Sequence, residues 1–195
     1  MAIELQAVIG AARSQQPEDG VELLERYLHQ NPRVGGVRPI LSRGWQLAGD
    51  LERSQQVLIP LLEAFPRDPS LRTRMAELHL DSGEIIRARE ELGAVLADRP
   101  DFALARLALA ELERRDGDCD TALQHVRVGL EVSPSTTGFL LVRGSCLLNR
   151  GQIEQAIHVL RTVLQSRPDS ADAHFLLATA LARTGAIEEA YTHYS

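Results

Sequence analysis

Apolar and small residues recur along this chain with a period of 34 residues. We number the positions of each repeat from residues 1, 35, 69, 103, 137 and 171. Position 17 is then held by Leu51, Ile85, Cys119, Ile153 and Ile187. Position 28 is held by Leu28, Leu62, Leu96, Leu130 and Leu164, which belong to the apolar stripe of a helix. Positions 8 and 20 are mostly alanine, and these small residues predict that the two helices of a repeat approach each other closely.

Proline and glycine mark the same period. Position 32 is proline in Pro32, Pro66, Pro100, Pro134 and Pro168, and position 15 is glycine in Gly49, Gly83, Gly117, Gly151 and Gly185. Glycine adopts the left-handed conformation at a helix C-terminus, and proline prevents a helix from continuing. Each repeat is therefore predicted to contain two helices of about three turns. Asp50, Asp68 and Asp118 stand where helices begin and are predicted to cap them, with Pro69 at a first helical position.

This pattern resembles the tetratricopeptide repeat (TPR), most clearly over residues 171–195, ADAHFLLATALARTGAIEEAYTHYS. The resemblance implies an all-α fold, a right-handed α-solenoid of antiparallel helix pairs with about five and a half TPR units. The whole chain, 1–195, is predicted to be a single solenoid. Its repeats are predicted at 1–34 (resembling an N-terminal cap), 35–68, 69–102, 103–136, 137–170 and, as a partial repeat, 171–195.

The first two repeats depart from the pattern. Repeat 1–34 has Gln15 and Gly20 where glycine and alanine are expected, which is typical of a terminal capping repeat. In repeat 35–68, glycines delay the first helix to about Pro39, and Pro60 is predicted to kink the second helix or remove a hydrogen bond. Residues 35–60 are either a tolerated irregularity or a hinge. The chain stops at Ser195 within a predicted helix, which suggests a fragment of a larger protein or an end that another molecule covers.

Composition narrows the possible functions. The 195 residues are 44% apolar and only 4% aromatic, which favours aliphatic helix packing. The net charge of −6 argues against nucleic acid as the main partner. No lysine occurs, so a Schiff-base or P-loop lysine is excluded, and the exclusive use of arginine favours a GC-rich bacterial source.

Neither a targeting segment nor a disulfide is predicted. The N-terminus lacks the basic region of a signal peptide, and no stretch reaches transmembrane length, so the expected location is the cytoplasm without membrane contact. Cys119 and Cys146 match no metal-binding spacing and fall at apolar helix positions. They are interpreted as buried reduced thiols, with a disulfide as the alternative.

No enzymatic motif is present, so neither catalysis nor a cofactor is predicted. The six histidines are dispersed; His125 and His158 occupy near-equivalent places in successive repeats, but two histidines alone are a weak metal site, and none is predicted. The acidic pairs Glu90-Glu91 and Glu188-Glu189 are interpreted as solvent-facing helix charge.

The resemblance implies that the first helices of the repeats line a concave groove that binds a protein or peptide. The residues carried over to this groove are Arg43, Arg74, Glu77, Leu107, Glu111, Arg114, Arg115, Leu141, Val142, Ser145, Leu148, Asn149, Phe175, Leu176, Thr179 and Arg183. The N-terminal half of the groove is predicted to be polar and the C-terminal half apolar, which suits an amphipathic helix or an extended peptide with apolar anchors. Alternatively, several of these side chains pack against the neighbouring repeat.

Arginine replaces the family's frequent tryptophan at position 4 in Arg38, Arg72 and Arg106. These side chains either pair locally or are solvated, or they form a strip for an anionic ligand. The carboxylate clamp of chaperone-binding relatives is absent, because positions 5, 6 and 9 carry neither lysine nor asparagine.

Three functions remain open at this point. The first is a free-standing, non-catalytic protein-binding scaffold. The second is the N-terminal recruiting region of a larger bacterial enzyme, such as a transferase or a hydroxylase. The third is a self-assembling scaffold that forms a homo-oligomer through its open C-terminal end.

Overall fold

The computed structural model describes residues 17–31, 35–134 and 136–194, and all regular structure in these ranges is helical. The helices are α1 (Pro17–Gln30), α2 (Arg38–Leu47), α3 (Leu51–Ala64), α4 (Pro69–Asp81), α5 (Ile85–Asp98), α6 (Ala103–Arg115), α7 (Cys119–Val132), α8 (Thr137–Asn149), α9 (Ile153–Ser166), α10 (Ala171–Thr184) and α11 (Ile187–Tyr194), with a 3₁₀ helix at Gly35–Val37 before α2. The predicted all-α helical-repeat fold is therefore confirmed.

A glycine in the left-handed conformation closes the first helix of every described pair. The φ angles of Gly49, Gly83, Gly117, Gly151 and Gly185 lie between 72° and 85°. Residues with a side chain rarely adopt this conformation, so glycine is required for backbone reasons at these turns. The period of the glycines in the sequence is thus the period of the helix pairs.

Aspartates begin several helices as predicted. The Asp68 carboxylate accepts hydrogen bonds from the backbone N–H groups of Ser70 and Leu71, and Pro69 occupies the first turn of α4. Asp118 caps α7 in the same way, and Asp50 accepts from the Arg53 N–H at the start of α3. A hydrogen bond from the Thr121 hydroxyl, 2.7 Å long, lowers the pKa of Asp118.

The irregular second repeat forms both of its helices. Helix α2 begins at Arg38, one residue before the predicted start, and the 3₁₀ turn of Gly35–Val37 precedes it. Helix α3 continues through Pro60, which is exposed and supplies no N–H to the helix. The hinge stays a prediction.

Small residues bring the two helices of each pair together. In the second repeat, positions 8 and 20 are Ser42 and Ser54, whose fully buried hydroxyl oxygens lie 2.9 Å apart. The Ser54 hydroxyl also donates to the Ser42 carbonyl oxygen at 2.7 Å. In the fifth repeat a Cβ atom on Gly144 would lie 2.8 Å from Leu160 Cδ2, so the helices meet there without room for a methyl group.

The contacts divide the chain into two compact units, Met1–Asp98 and Arg99–Ser195, here called the N-terminal and C-terminal units. The N-terminal unit has an apolar cluster around Val21, Leu24 and Leu41, and a second around Leu58 and Leu78. A single solenoid spanning the chain, and its handedness, stay predictions. Much of repeat 1–34, including Gln15 and Pro32, lies outside the described residues.

The core of the C-terminal unit contains Phe139, the largest fully buried side chain among the residues that the structure describes. Its ring packs directly on the backbone of Gly129 in α7, where a Cβ atom would overlap the ring. Cys119 and Cys146 lie in the same cluster as buried thiols without a disulfide, as predicted. Burial, followed by a hydrogen bond with Cys119, raises the pKa of Cys146 to about 12.

Candidate functional site

Three first helices of the C-terminal unit enclose a groove of about 410 Å³. We call it the C-terminal groove. Helix α6 contributes Glu111, Arg114 and Arg115; helix α8 contributes Leu141, Val142 and Ser145; and helix α10 contributes Asp172, Phe175 and Leu176. These residues occupy equivalent positions in successive repeats. The first helices of successive repeats lie side by side, so these positions share one surface.

The two sides of the C-terminal groove differ in chemistry. Phe175 is 60% exposed although it is a large apolar side chain, and Leu141 and Leu176 are half-buried beside it. Arg114 is half-buried and Arg115 exposed on the α6 side. The groove therefore combines apolar and charged surface in one place, whereas the sequence predicted these two kinds of surface in different halves of the chain.

Helix α11 extends the apolar side of this groove. The ring of Tyr194 meets that of Phe175 edge-on, with centroids 6.1 Å apart. The Thr179 hydroxyl donates to the Phe175 carbonyl oxygen at 2.8 Å and lies 3.3 Å from the Tyr194 hydroxyl. Tyr194 was not among the predicted site residues. Its contact with Phe175 depends on how α11 packs, and the repeat pattern contains no signal for that contact.

Not all of the predicted residues of the C-terminal unit offer an accessible surface in the groove. Leu148 is only 3% exposed and packs in the core, so its assignment to an accessible groove surface is corrected. Val142 is equally buried and forms the groove floor. Leu107 is half-buried and packs against the core cluster that contains Phe139.

The remaining two polar residues are engaged at the ends of their helices. Arg183 donates through Nη1 to the Leu148 carbonyl oxygen at 2.9 Å. Asn149 directs its amide toward the Cys119 sulfur at 3.8 Å. Both therefore link neighbouring helices, which is a structural use of side chains predicted to contact a partner.

A second groove of about 440 Å³ lies between α2 and α4 in the N-terminal unit. We call it the N-terminal groove. It is lined by Pro39, Ile40, Arg43, Gly44, Leu47, Ser70, Leu71 and Arg74. Most of these residues are apolar, although this half was predicted to be polar. Applying the family's groove positions to repeat 35–68 would have identified Pro39, Ile40 and Leu47.

The charged residues of this unit form a network along the N-terminal groove. Glu77 pairs with Arg74 at 2.8 Å and with Arg43 at 3.6 Å. Burial of the Arg74 guanidinium lowers its pKa, and Glu77 partly offsets this shift. Arg74 Nε and Nη2 are buried without a hydrogen bond among the described residues. The network leaves the buried guanidinium incompletely compensated.

Arg72 and Arg106 at position 4 make local contacts, Arg72 within its own repeat and Arg106 with the end of the preceding one. Arg72 pairs with Glu91 at 3.2 Å, and Arg106 donates to the Pro100 carbonyl oxygen. His174 occupies the same position in the last repeat, where its Nδ1 lies 2.8 Å from Nδ1 of His193. These contacts support the local interpretation of Arg72 and Arg106 over a strip for an anionic ligand.

The other titratable side chains form no recognisable catalytic or metal centre in the described ranges, where no group of three metal-ligating residues occurs. Nδ1 of His125 is buried without a hydrogen bond, while His158 is exposed. Glu90 and Glu188 are exposed, and Glu189 pairs with Arg161 at 2.6 Å. No helix that the structure describes has the length and apolarity to cross a membrane.

Repeated helix pairs with a lined groove define the class of helical-repeat proteins. A family model described as tetratricopeptide repeat matches residues 46–112, and a second model of that description matches residues 141–195. Together the two matches cover more than half of the chain. This chain belongs to the tetratricopeptide-repeat family.

Solved structures of TPR proteins share this fold. A chain of the APC/C hetero-tetramer Cut9–Hcn1 gives a TM-score of 0.80 at 16% identity, over 91% of this chain and 35% of that one, so this chain spans about a third of its length. A thermophilic TPR protein of Thermus thermophilus gives 0.71 at 21% identity, over 83% and 88%. MamA of Desulfovibrio magneticus RS-1 gives 0.65 at 18% identity, over 82% and 90%. No curated protein matches the sequence.

Proposed function

We propose that this chain is a protein-interaction scaffold that binds a helical or extended segment of a partner protein in the C-terminal groove. TPR proteins bind protein partners, and the fold of this chain fits that role. The observation that carries the proposal is the exposed Phe175 ring beside Leu141 and Leu176, opposite Arg114 and Arg115, in a cavity of about 410 Å³.

The chemistry of the groove favours an amphipathic segment. Phe175 and Leu176 offer a surface for apolar side chains, and their burial by a partner is favourable by about 25 cal/mol per Å². Arg114 and Arg115 can accommodate acidic or carbonyl groups at the other edge. A partner helix with one apolar face and one polar face satisfies both sides at once.

The N-terminal groove is proposed as a separate contact surface. Ile40, Leu47 and Leu71 give it an apolar lining, and Arg43 and Arg74 stand at its edge with Glu77 between them. A partner group that accepts a hydrogen bond from Arg43 would contact this groove without disturbing the Arg74–Glu77 pair.

Catalysis is not part of the proposed function. Proteins of this family are generally non-catalytic scaffolds, which is the role proposed here. The net charge of −6 supports a protein partner over nucleic acid. A role as the recruiting region of a larger enzyme remains compatible with the same groove.

Site-specific photo-crosslinking tests the proposed groove. A photoreactive amino acid at Phe175 is expected to capture a protein from lysate of the source cells, whereas the same label at exposed Gln165 on α9 is not. Adding Leu141→Glu and Leu176→Glu to the Phe175-labelled chain should abolish the capture while circular dichroism stays helical. Equal capture by both labels, or capture that survives the two glutamates, would exclude the groove.

Self-association is a second candidate function, and the surface of α11 favours it. Ile187, Tyr191 and Tyr194 lie on one side of this helix and are 60%, 74% and 54% exposed. Large apolar side chains exposed together are typical of interaction surfaces. Light scattering would then show a mass that grows with concentration above 21.5 kDa, and Tyr191→Glu would restore the monomer. A constant monomer mass at high concentration would contradict this function.

A further inference from the structure

A third cavity, of about 490 Å³, lies within the C-terminal unit between α7 and the C-terminal part of α8. Its floor is apolar and includes Leu123, Val126 and Leu147. Its rim carries three arginines, Arg127, Arg143 and Arg150. We call it the arginine-rimmed pocket.

The arginine-rimmed pocket and the C-terminal groove lie on opposite sides of α8. A helix turns by about 100° per residue, so Arg143 is rotated by about 200° from Leu141, and Leu147 by about 200° from Ser145. Leu141 and Ser145 line the groove, whereas Arg143 and Leu147 line the pocket. An occupant of the pocket is therefore distinct from the segment proposed for the groove.

The rim carries an excess of positive charge in a chain whose net charge is −6. Glu131 is the one carboxylate in the lining, and it pairs with Arg127 at 3.3 Å along α7. Both side chains of this pair are mostly exposed, at 72% and 63%, so the pair is weak and easily exchanged for another carboxylate. Arg150 contacts Asp120, while Arg143 is exposed and takes part in no ion pair among the described residues.

We propose that the arginine-rimmed pocket binds an acidic segment of a partner protein that carries one large apolar side chain. The apolar side chain lies on the Leu123 and Leu147 floor, and flanking carboxylates pair with Arg127 and Arg143. Arginine is well suited to this because its planar guanidinium can bind a carboxylate through two parallel hydrogen bonds. The charge of the rim and the apolarity of the floor together select this ligand.

A nucleic acid fits the same rim less well. Phosphates would satisfy the arginines, but a sugar–phosphate backbone offers no extended apolar group to cover leucine and valine side chains, and no aromatic side chain lines the pocket for base stacking. The pocket volume falls in the range of sites that enclose a small ligand or a few side chains. The protein segment is therefore the occupant that both chemistries favour.

Three synthetic peptides test the proposal with the isotope-labelled full chain. The first has glutamates around a central leucine, the second replaces glutamate with lysine, and the third replaces the leucine with serine. In an NMR titration, the first peptide is expected to shift the resonances of Arg143, Leu147 and Gln152. We expect at least about tenfold weaker binding for each of the other two peptides, and weaker binding of the first at higher salt.

Matched variants distinguish binding in the arginine-rimmed pocket from nonspecific attraction to the charge of the chain. Arg143→Glu should lower the affinity for the acidic peptide at least about tenfold. Arg167→Glu makes the same charge change outside the pocket and should alter this affinity less than about twofold. Reversing both Arg127 and Arg143 to glutamate should make the lysine peptide the preferred ligand. Leu141→Glu, which is in the C-terminal groove, should leave all three affinities unchanged.

Four outcomes would overturn the proposal. They are no shift at millimolar acidic peptide, equal binding of the acidic and lysine peptides, shifts confined to α6 and α10, and displacement of the acidic peptide by oligothymidine at lower concentration. Circular dichroism of each variant verifies that the helices are intact. Shifts confined to α6 and α10 would place the peptide in the C-terminal groove, so this outcome distinguishes the two sites.

Discussion

Arg72 Nε lies 3.2 Å from a carboxylate oxygen of Glu91, and the two residues occupy positions 4 and 23 of one repeat. The same positions of the last repeat hold His174 and His193, whose rings lie 2.8 Å apart at Nδ1. Position 4 of the first helix therefore faces position 23 of the second helix in different repeats, and the chain places different chemical pairs there. Arg106 has His125 at position 23 of its repeat, so an arginine at position 4 does not require a carboxylate there.

A double-mutant cycle on Arg72 and Glu91 measures the strength of this pair. Both side chains are about one-third exposed, and pairs at this level of exposure contribute about 0.2–1 kcal/mol. We expect Arg72→Ala and Glu91→Ala to show a coupling energy within that range in urea unfolding, and the coupling should fall in high salt. The exposed pair of Arg99 and Asp101 serves as the control, with a smaller coupling.

His125 makes stability depend on pH in a direction that can be assigned. Burial, with a contribution from Arg106, lowers its pKa in the folded chain below the usual 6.5. The unfolded chain then binds the proton more readily, so stability is complete above about pH 6.5 and declines as the pH falls toward the folded-state pKa.

The measurement is the free energy of unfolding of the wild type and of His125→Gln between pH 5 and pH 8. We expect the wild type to lose more stability on acidification than the variant, because the glutamine cannot be protonated in this range. Exposed His158→Gln should track the wild type. Parallel pH curves for the wild type and His125→Gln would contradict the assigned shift.

Gly129 is required by the Phe139 ring and not by its own backbone conformation. Gly129→Ala is expected to destabilise the chain by about 1–3 kcal/mol or more, because the new methyl group overlaps a fully buried ring. Gly93→Ala is the matched control: Gly93 is also helical, but a Cβ atom there meets nothing within 4 Å. It should stabilise α5 by about 0.5–1 kcal/mol. Chemical unfolding measures the change in the free energy of unfolding for each variant, and the two changes should have opposite signs.

Cys146 should be unreactive in the folded chain. Its pKa of about 12 leaves almost no thiolate at pH 8, and the side chain is fully buried. In a Cys119→Ser background, a thiol-reactive dye is expected to label Cys146 only after denaturant is added. Labelling at the same rate in the native and unfolded chain would show that this part of the core opens readily.

The helices and their ends were predictable because local chemistry determines them. Gly117 needs a left-handed turn, and Asp68 caps a helix whatever surrounds it. The exposure of groove residues was less predictable, since it depends on the neighbouring helix. Leu148 and Leu141 are both leucines on the same helix, yet only Leu141 lines the groove. Tyr194 joins the groove through tertiary packing, which a 34-residue period does not encode.

The buried hydroxyl pair of Ser42 and Ser54 favours correct pairing of α2 with α3 during folding. The four repeats that follow have alanine or glycine at these two positions, so no side-chain hydrogen bond links their helices there. If α2 paired with a second helix that carries alanine, the Ser42 hydroxyl would lose its acceptor in the core, at a cost of about 1–3 kcal/mol. The two serines thus stabilise the pairing of α2 with α3 and disfavour incorrect pairing of either helix with a similar helix of another repeat.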